Sequence, residues 1–133
     1  MMVVDASLAM AWCFEDERTP ATDAALAEVV ADGGVVPDLW GLEVANVLLT
    51  ALRRKRITEA RMAHLVELLE SLPLEHAETE PTISELIDLA ERHSLSAYDA
   101  VYLSVAMREG LALGTLDQSL RAAATSAGVP LAL

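Results

Sequence analysis

The chain reads as an α/β domain built on a mostly parallel sheet with helices over both faces. Two observations predict it. Short apolar runs rich in Val and Leu alternate along the sequence with longer helical patterns, as buried strands and their covering helices do. The connections between the runs are too long for hairpins, so crossovers are favoured. In order, the predicted strands are Met2 to Val4, Val35 to Pro37, Leu74 to Ala77, Leu111 to Gly114 and Val129 to Leu133. Helices are expected to begin after Asp5 and at Thr19, Asp38, Thr58, Thr82, Ser96 and Asp117, residue types whose side chains accept from free amides of a first turn. Thr82 with Glu85, and Ser96 with Asp99, have the spacing of capping boxes.

At 133 residues, without repeats, low-complexity tracts or a Pro/Gly/Ser-rich linker, residues 1–133 are expected to form one domain. Apolar residues make up 53% and aromatics 4%, so the core must be mostly Ala, Leu and Val. The longest uncharged stretch, Ala122 to Leu133, is short of the roughly 18 residues a spanning helix needs. Asp5, with no Lys or Arg before it, argues against a signal peptide, and the expectation is a soluble, cytoplasmic protein without membrane contact. A single cysteine, Cys13, excludes an intrachain disulfide and a Cys-based zinc site.

The net charge of −12 argues against a broad electrostatic grip on nucleic acid. Yet Arg53, Arg54, Lys55, Arg56 and Arg61 gather more than half of the nine positive charges. They are either a phosphate-tracking surface or the ordinary complement of cations at a helix carboxyl end.

The acids are placed oddly. Asp5 and Asp117 lie just beyond the ends of two predicted strands, and Asp99 opens a largely apolar helix. Each could serve as a helix cap, and Ser7 could share or replace Asp5 in that role. Glu43 is harder to explain, because the helix from Leu39 to about Arg54 is apolar nearly all round. Its polar stripe runs through Glu43, Asn46, Thr50 and Arg53, either a narrow solvent-facing strip or the wall of a site. In parallel α/β sheets, ligands bind beyond the carboxyl ends of the strands, where all four acids can meet. Four carboxylates together are stable only if some are protonated or a cation sits among them. An all-oxygen donor set suits Mg2+ or Mn2+, while Cys13, His64, His76 and His93 lack metal-ligand spacing.

Four segments in order carry a family resemblance: Val4-Asp5-Ala6-Ser7, the stretch Pro37 to Leu48, Ser96 to Leu103, and Thr115-Leu116-Asp117. With them the chain resembles the PIN domains, specifically the VapC-type toxin ribonucleases of toxin-antitoxin pairs. The resemblance implies a three-layer α/β/α domain with a five-stranded parallel sheet in the order 3-2-1-4-5. It also implies a metal-dependent endoribonuclease whose catalytic acids match Asp5, Glu43, Asp99 and Asp117 and whose products end in 5'-phosphate and 3'-hydroxyl groups. Asp5 with Asp99 or Asp117 would ligate Mg2+, and Glu43 would orient or deprotonate the attacking water. Ser7, Asn46 and Thr115 would support carboxylates or bound water. Arg53, Arg54, Lys55 and Arg56 would track RNA outside the pocket. By the same resemblance an antitoxin packs an amphipathic segment on the toxin and inserts a basic side chain among the acids, and the toxin is a homodimer.

Two other readings compete. A dehalogenase-like phosphatase wants a second Asp where this chain has Ser7, and a receiver domain wants an acidic pair at the first strand and a late Lys, neither of which is present. A PIN-like domain that binds RNA or protein without cleaving it is the remaining alternative.

Overall fold

The computed structural model describes residues 1–133. Four strands form one parallel sheet: β1 (Met2–Val4), β2 (Gly34–Val36), β3 (Leu74–His76) and β4 (Ala112–Gly114), in the order β3-β2-β1-β4. Seven helices join them: α1 (Ala6–Cys13), α2 (Pro20–Asp32), α3 (Leu39–Arg53), α4 (Glu59–Ser71), α5 (Ile83–His93), α6 (Ala97–Glu109) and α7 (Gln118–Ser126). A short 3-10 turn at Glu15–Glu17, which the sequence pattern did not predict, follows α1.

The predicted fifth strand is corrected to a single parallel bridge between Leu113 and Leu131 on the outer side of β4. Its two hydrogen bonds, Leu113 N to Pro130 O at 2.8 Å and Ala132 N to Leu113 O at 3.0 Å, straddle one residue. Pro130 has no N–H to extend the ladder, and Gly128 turns the chain at φ +76° just before it. The opposite edge, β3, exposes Glu75 and His76, charged and polar side chains that discourage further pairing.

Alternation along β1 separates two cores. Met2 and Val4 face α1 to α4, packing with Leu8, Trp12, Val29, Val36, Leu48 and Leu65. Val3 faces α5 to α7 with Tyr102, Leu103, Leu113 and Leu120. This is the three-layer arrangement expected. Helix α1 lies so close to the sheet that a Cβ at Gly114 would stand 2.7 Å from Leu8 Cδ2 and 3.0 Å from Met2 Sδ.

Capping sets the helix starts, with two departures from expectation. Thr19 and Thr82 form full capping boxes with Thr22 and Glu85, and Thr58 accepts from Arg61 N. Asp38 precedes α3 but is already helical in backbone and caps nothing; it pairs instead with His76 Nδ1 at 2.8 Å. Ser96 accepts from Asp99 N at 3.1 Å, but Asp99 does not return the bond, so that box is half-formed and the Asp99 carboxylate is not used in it. No helix is long and apolar enough to cross a membrane.

Candidate active site

The end of β1 and the end of β4 together fix the first acid. Asp5 N donates to Gly114 O at 3.0 Å, which holds the residue beside β4. Its side chain is 5% exposed and, contrary to a capping role, does not reach the α1 amides. Oδ2 accepts from Ser7 Oγ at 2.6 Å and from Thr115 Oγ1 at 2.7 Å. Each hydroxyl in turn accepts a backbone amide, Leu116 N on Ser7 at 3.0 Å and Asp117 N on Thr115 at 3.1 Å. The amides commit the hydroxyl lone pairs, so their protons are directed at Asp5, and Oδ1 takes no hydrogen bond. Ser7 and Thr115 therefore hold the Asp5 carboxylate in place.

Glu43 is half-buried on α3, and its Oε1 accepts from Tyr102 Oη at 2.6 Å. Burial pushes the Glu43 carboxyl above its usual range, the Tyr102 hydrogen bond opposes that, and the Asp5 charge adds to it. Tyr102 is fully buried, and burial together with Glu43 raises its phenol far above the usual range, so it stays a donor. Asp99 is pushed up to about 6, by burial first and then by the charges of Asp117, Asp5 and Glu43, against the lowering bond from Ser96. Asp117 is exposed and does act as a cap, accepting Leu120 N on Oδ1 at 2.8 Å. Acids from four separate elements thus lie near enough for their charges to act on one another.

No Lys, Arg or His forms an ion pair with any of the four. Arg121 spends Nη1 on the carbonyls of Thr115 and Leu133 instead. Mutual repulsion without a basic partner is the electrostatic setting of a cation site. No three Asp, Glu, His or Cys side chains form a group that could hold an ion by themselves. The acids therefore form no closed cage, and a dication among them would have to complete its coordination with water, as Mg2+ commonly does.

A family model for the PIN domain matches residues 2–125. The chain belongs to the PIN-domain family. It is 32% identical over 123 residues to Ribonuclease VapC3 of Pyrobaculum aerophilum, covering 90% of this chain and 91% of that protein. Among solved structures it resembles PAE2754 from Pyrobaculum aerophilum, with a TM-score of 0.70, 27% identity, and coverage of 92% of this chain and 78% of the other. FitAcB from Neisseria gonorrhoeae shares the fold, with a TM-score of 0.65 at 18% identity over 98% and 96% of the two chains.

Within this PIN domain the remaining expected residues divide. Asn46 is exposed and joins none of the acids' side-chain hydrogen bonds; it lines a cavity with Glu43 instead. Arg53, Arg54 and Lys55 are exposed at the end of α3 and form no ion pair. Arg56 is separated from them in function: it bonds Asp16 at 3.0 Å, lies 3.6 Å from Glu17, and covers the Phe14 ring at 4.1 Å.

Tyr102 is the site residue that the sequence reading missed, although its spacing of three from Asp99 places both on one helix face. Replacing Tyr102 by Phe takes the donor from Glu43 and is expected to raise the Glu43 pKa further, moving the acid limb of a pH–activity profile to higher pH. A cost of about 1 kcal/mol in stability is expected from the lost hydrogen bond. Melting curves and the pH profile of the purified variant check both, and an unmoved acid limb would separate Tyr102 from Glu43 in function.

Proposed function

We propose that this PIN domain is a Mg2+- or Mn2+-dependent endoribonuclease and the toxin of a toxin-antitoxin pair. The observation that carries it is the meeting of Asp5, Glu43, Asp99 and Asp117 with no basic counter-charge. The full-length similarity to a named ribonuclease supports the substrate class.

Asp5 and Asp99 are assigned as direct ligands of the dication, with Asp117, one of whose oxygens caps α7, contributing through its other oxygen or through water. A bound dication supplies charge to offset the scissile phosphate and to acidify water. Ser7 and Thr115 keep Asp5 fixed. Glu43, its Oε1 held by Tyr102, orients the attacking water or takes its proton, a task suited to a carboxyl whose pKa is raised. In-line attack of water on phosphorus that breaks the P–O3' bond, with the departing 3'-oxygen taking up a proton, leaves 5'-phosphate and 3'-hydroxyl ends. The test is incubation of purified protein with single-stranded and structured RNAs, transfer RNA included, in Mg2+, Mn2+ or EDTA. Cleavage in metal alone with those end groups is expected; RNA binding without cleavage in either metal would assign a binding-only domain.

Arg53, Arg54 and Lys55 are assigned to phosphates outside the pocket, whereas Arg56 is largely neutralised by Asp16 and Glu17. Each single-strand phosphate contact contributes about 0.7 to the slope of log affinity against log salt. Changing these three residues to Ala is expected to flatten the slope for RNA binding by about 2. An unchanged slope would leave them as ordinary cations at a helix end.

The antitoxin is assigned to the apolar groove of about 240 Å3 between α3 and α4, lined by Trp40, Val44, Leu48, Val66 and Leu69. A basic side chain from a segment docked there would complement the acids. A homodimer, also implied by the resemblance, would cover exposed apolar side chains such as Ile83 and Ile87.

A further inference from the structure

The chain has two Trp, two Tyr and one Phe, and one of these rings stands in solvent. Trp12, Phe14 and Tyr102 are buried and Trp40 is half-buried, whereas Tyr98 is 63% exposed. It opens α6 immediately before Asp99, so its backbone is fixed by the same first turn that places a candidate catalytic acid.

Beside it lies a cavity of about 430 Å3 lined by Leu39, Leu42, Glu43, Asn46 and Tyr98. Glu43 is therefore common to this cavity and to the acid pocket. Leu42 is 71% exposed, so the walls offer apolar surface and one aromatic face, with a single amide, Asn46, that can both donate and accept. No Lys or Arg lines it, and its one charged wall is acidic, which disfavours a phosphate or an acidic peptide there. Its chemistry suits a flat, uncharged group with a hydrogen-bonding edge.

Asn46 also lines the next cavity along α3, of about 200 Å3, shared with Thr50, Arg54 and Arg56. At that end Arg54 is the cation without an ion pair, so the end favours a phosphate. From Glu43 to Arg54 the helix rises by about 17 Å, so the acids, an apolar slot and a basic end follow one another along one element.

We propose that Tyr98 is a stacking platform for an unpaired nucleobase of the RNA held at the acid pocket, with Asn46 reading that base's edge. The inference rests on the ribonuclease reading and adds that the flanking base must be single-stranded to be cut. Stacking on an exposed ring tolerates any base, and the amide supplies the discrimination.

The test uses single-stranded RNA oligonucleotides in which one base at a time is removed, cleaved by the full chain and by Tyr98→Ala, Tyr98→Phe and Asn46→Ala. Tyr98→Ala is expected to raise KM roughly tenfold on intact RNA, and Tyr98→Phe to restore it. At one position, removing the base raises the KM of the unsubstituted chain by a similar factor, and Tyr98→Ala then adds less than about twofold. Asn46→Ala changes the ranking of the four bases there. A second readout does not need cleavage: with two tyrosines in the chain, tyrosine-selective labelling gives two ring signals, and Tyr102→Phe assigns the one that belongs to the exposed Tyr98. Added RNA is expected to shift the Tyr98 ring signals upfield. A shift without cleavage would keep the stacking inference and reject the nuclease reading. A Tyr98 ring unmoved at RNA concentrations that saturate cleavage, or an unchanged KM in Tyr98→Ala, overturns the stacking inference and leaves the ring for a protein contact, and an unchanged base ranking in Asn46→Ala overturns the edge reading.

Discussion

Asp5→Asn is expected to lower RNA cleavage by more than about 100-fold while leaving the fold intact. The reason is the division of labour between its two oxygens. Oδ2 accepts from Ser7 and Thr115, and the amide oxygen of Asn can take the same two bonds. The NH2 group then replaces Oδ1, the oxygen without a hydrogen bond, which is the one free to meet a cation. The substitution removes a charge and a ligand and keeps the hydroxyl pair in place. Cleavage of a defined RNA in Mg2+, alongside a melting curve, checks it. Full activity in a folded Asp5→Asn protein would remove Asp5 from the chemistry.

Asp99→Asn is expected to stabilise the metal-free protein, and the effect carries a pH signature. Folding raises the Asp99 carboxyl from 3.8 to about 6. Between those values the folded chain holds a proton that the unfolded chain has released, so the Asp99 contribution to stability falls as pH rises through that window. Above it, the ionised Asp99 works against the fold through burial and through Asp117, Asp5 and Glu43. Asn is uncharged at every pH and removes this dependence. The melting temperature of the variant is expected to exceed that of the unsubstituted chain by roughly 2 to 8 °C at pH 7 without metal, with the difference vanishing as the pH falls below the unfolded value of 3.8. Mg2+ is expected to raise the melting temperature of the unsubstituted chain and to do little for the variant. Calorimetric scans at several pH values, with and without Mg2+, measure both. A difference independent of pH would show that these acids do not strain one another.

Much of the framework was legible because the Val-rich runs read as strands at Met2 to Val4 and Val35 to Pro37 suit the inside of a sheet, and they form β1 (Met2–Val4) and β2 (Gly34–Val36). The positions of Asp5 and Asp117 at strand ends put both at the carboxyl edge of the sheet, and the charges of both act on Asp99. What the sequence hid depends on contacts between distant residues. Asp38 has the residue type of a cap, but its helical backbone and the pairing with His76 decide otherwise. Arg56 belongs to a run of cations, yet Asp16, 40 positions earlier, claims its guanidinium. Tyr102 looked like one more apolar residue of a buried helix until its hydroxyl met Glu43, 59 positions away. The fifth strand failed for a local reason, the missing amide of Pro130, that the Val and Leu content masked.

The bond from Thr115 to Asp5 spans 110 residues, joining the first strand to the last acid-bearing segment. At about 5 to 20 residues per second, a ribosome needs roughly 5 to 20 s to make that interval. Throughout it the nascent polypeptide carries an incomplete cluster, with β1 lacking its β4 neighbour and Asp5 lacking one of its two hydroxyl donors. The Asp5 carboxylate therefore gains its second hydroxyl donor only after Thr115 has been made, so assembly of the candidate site is tied to completion of the fold.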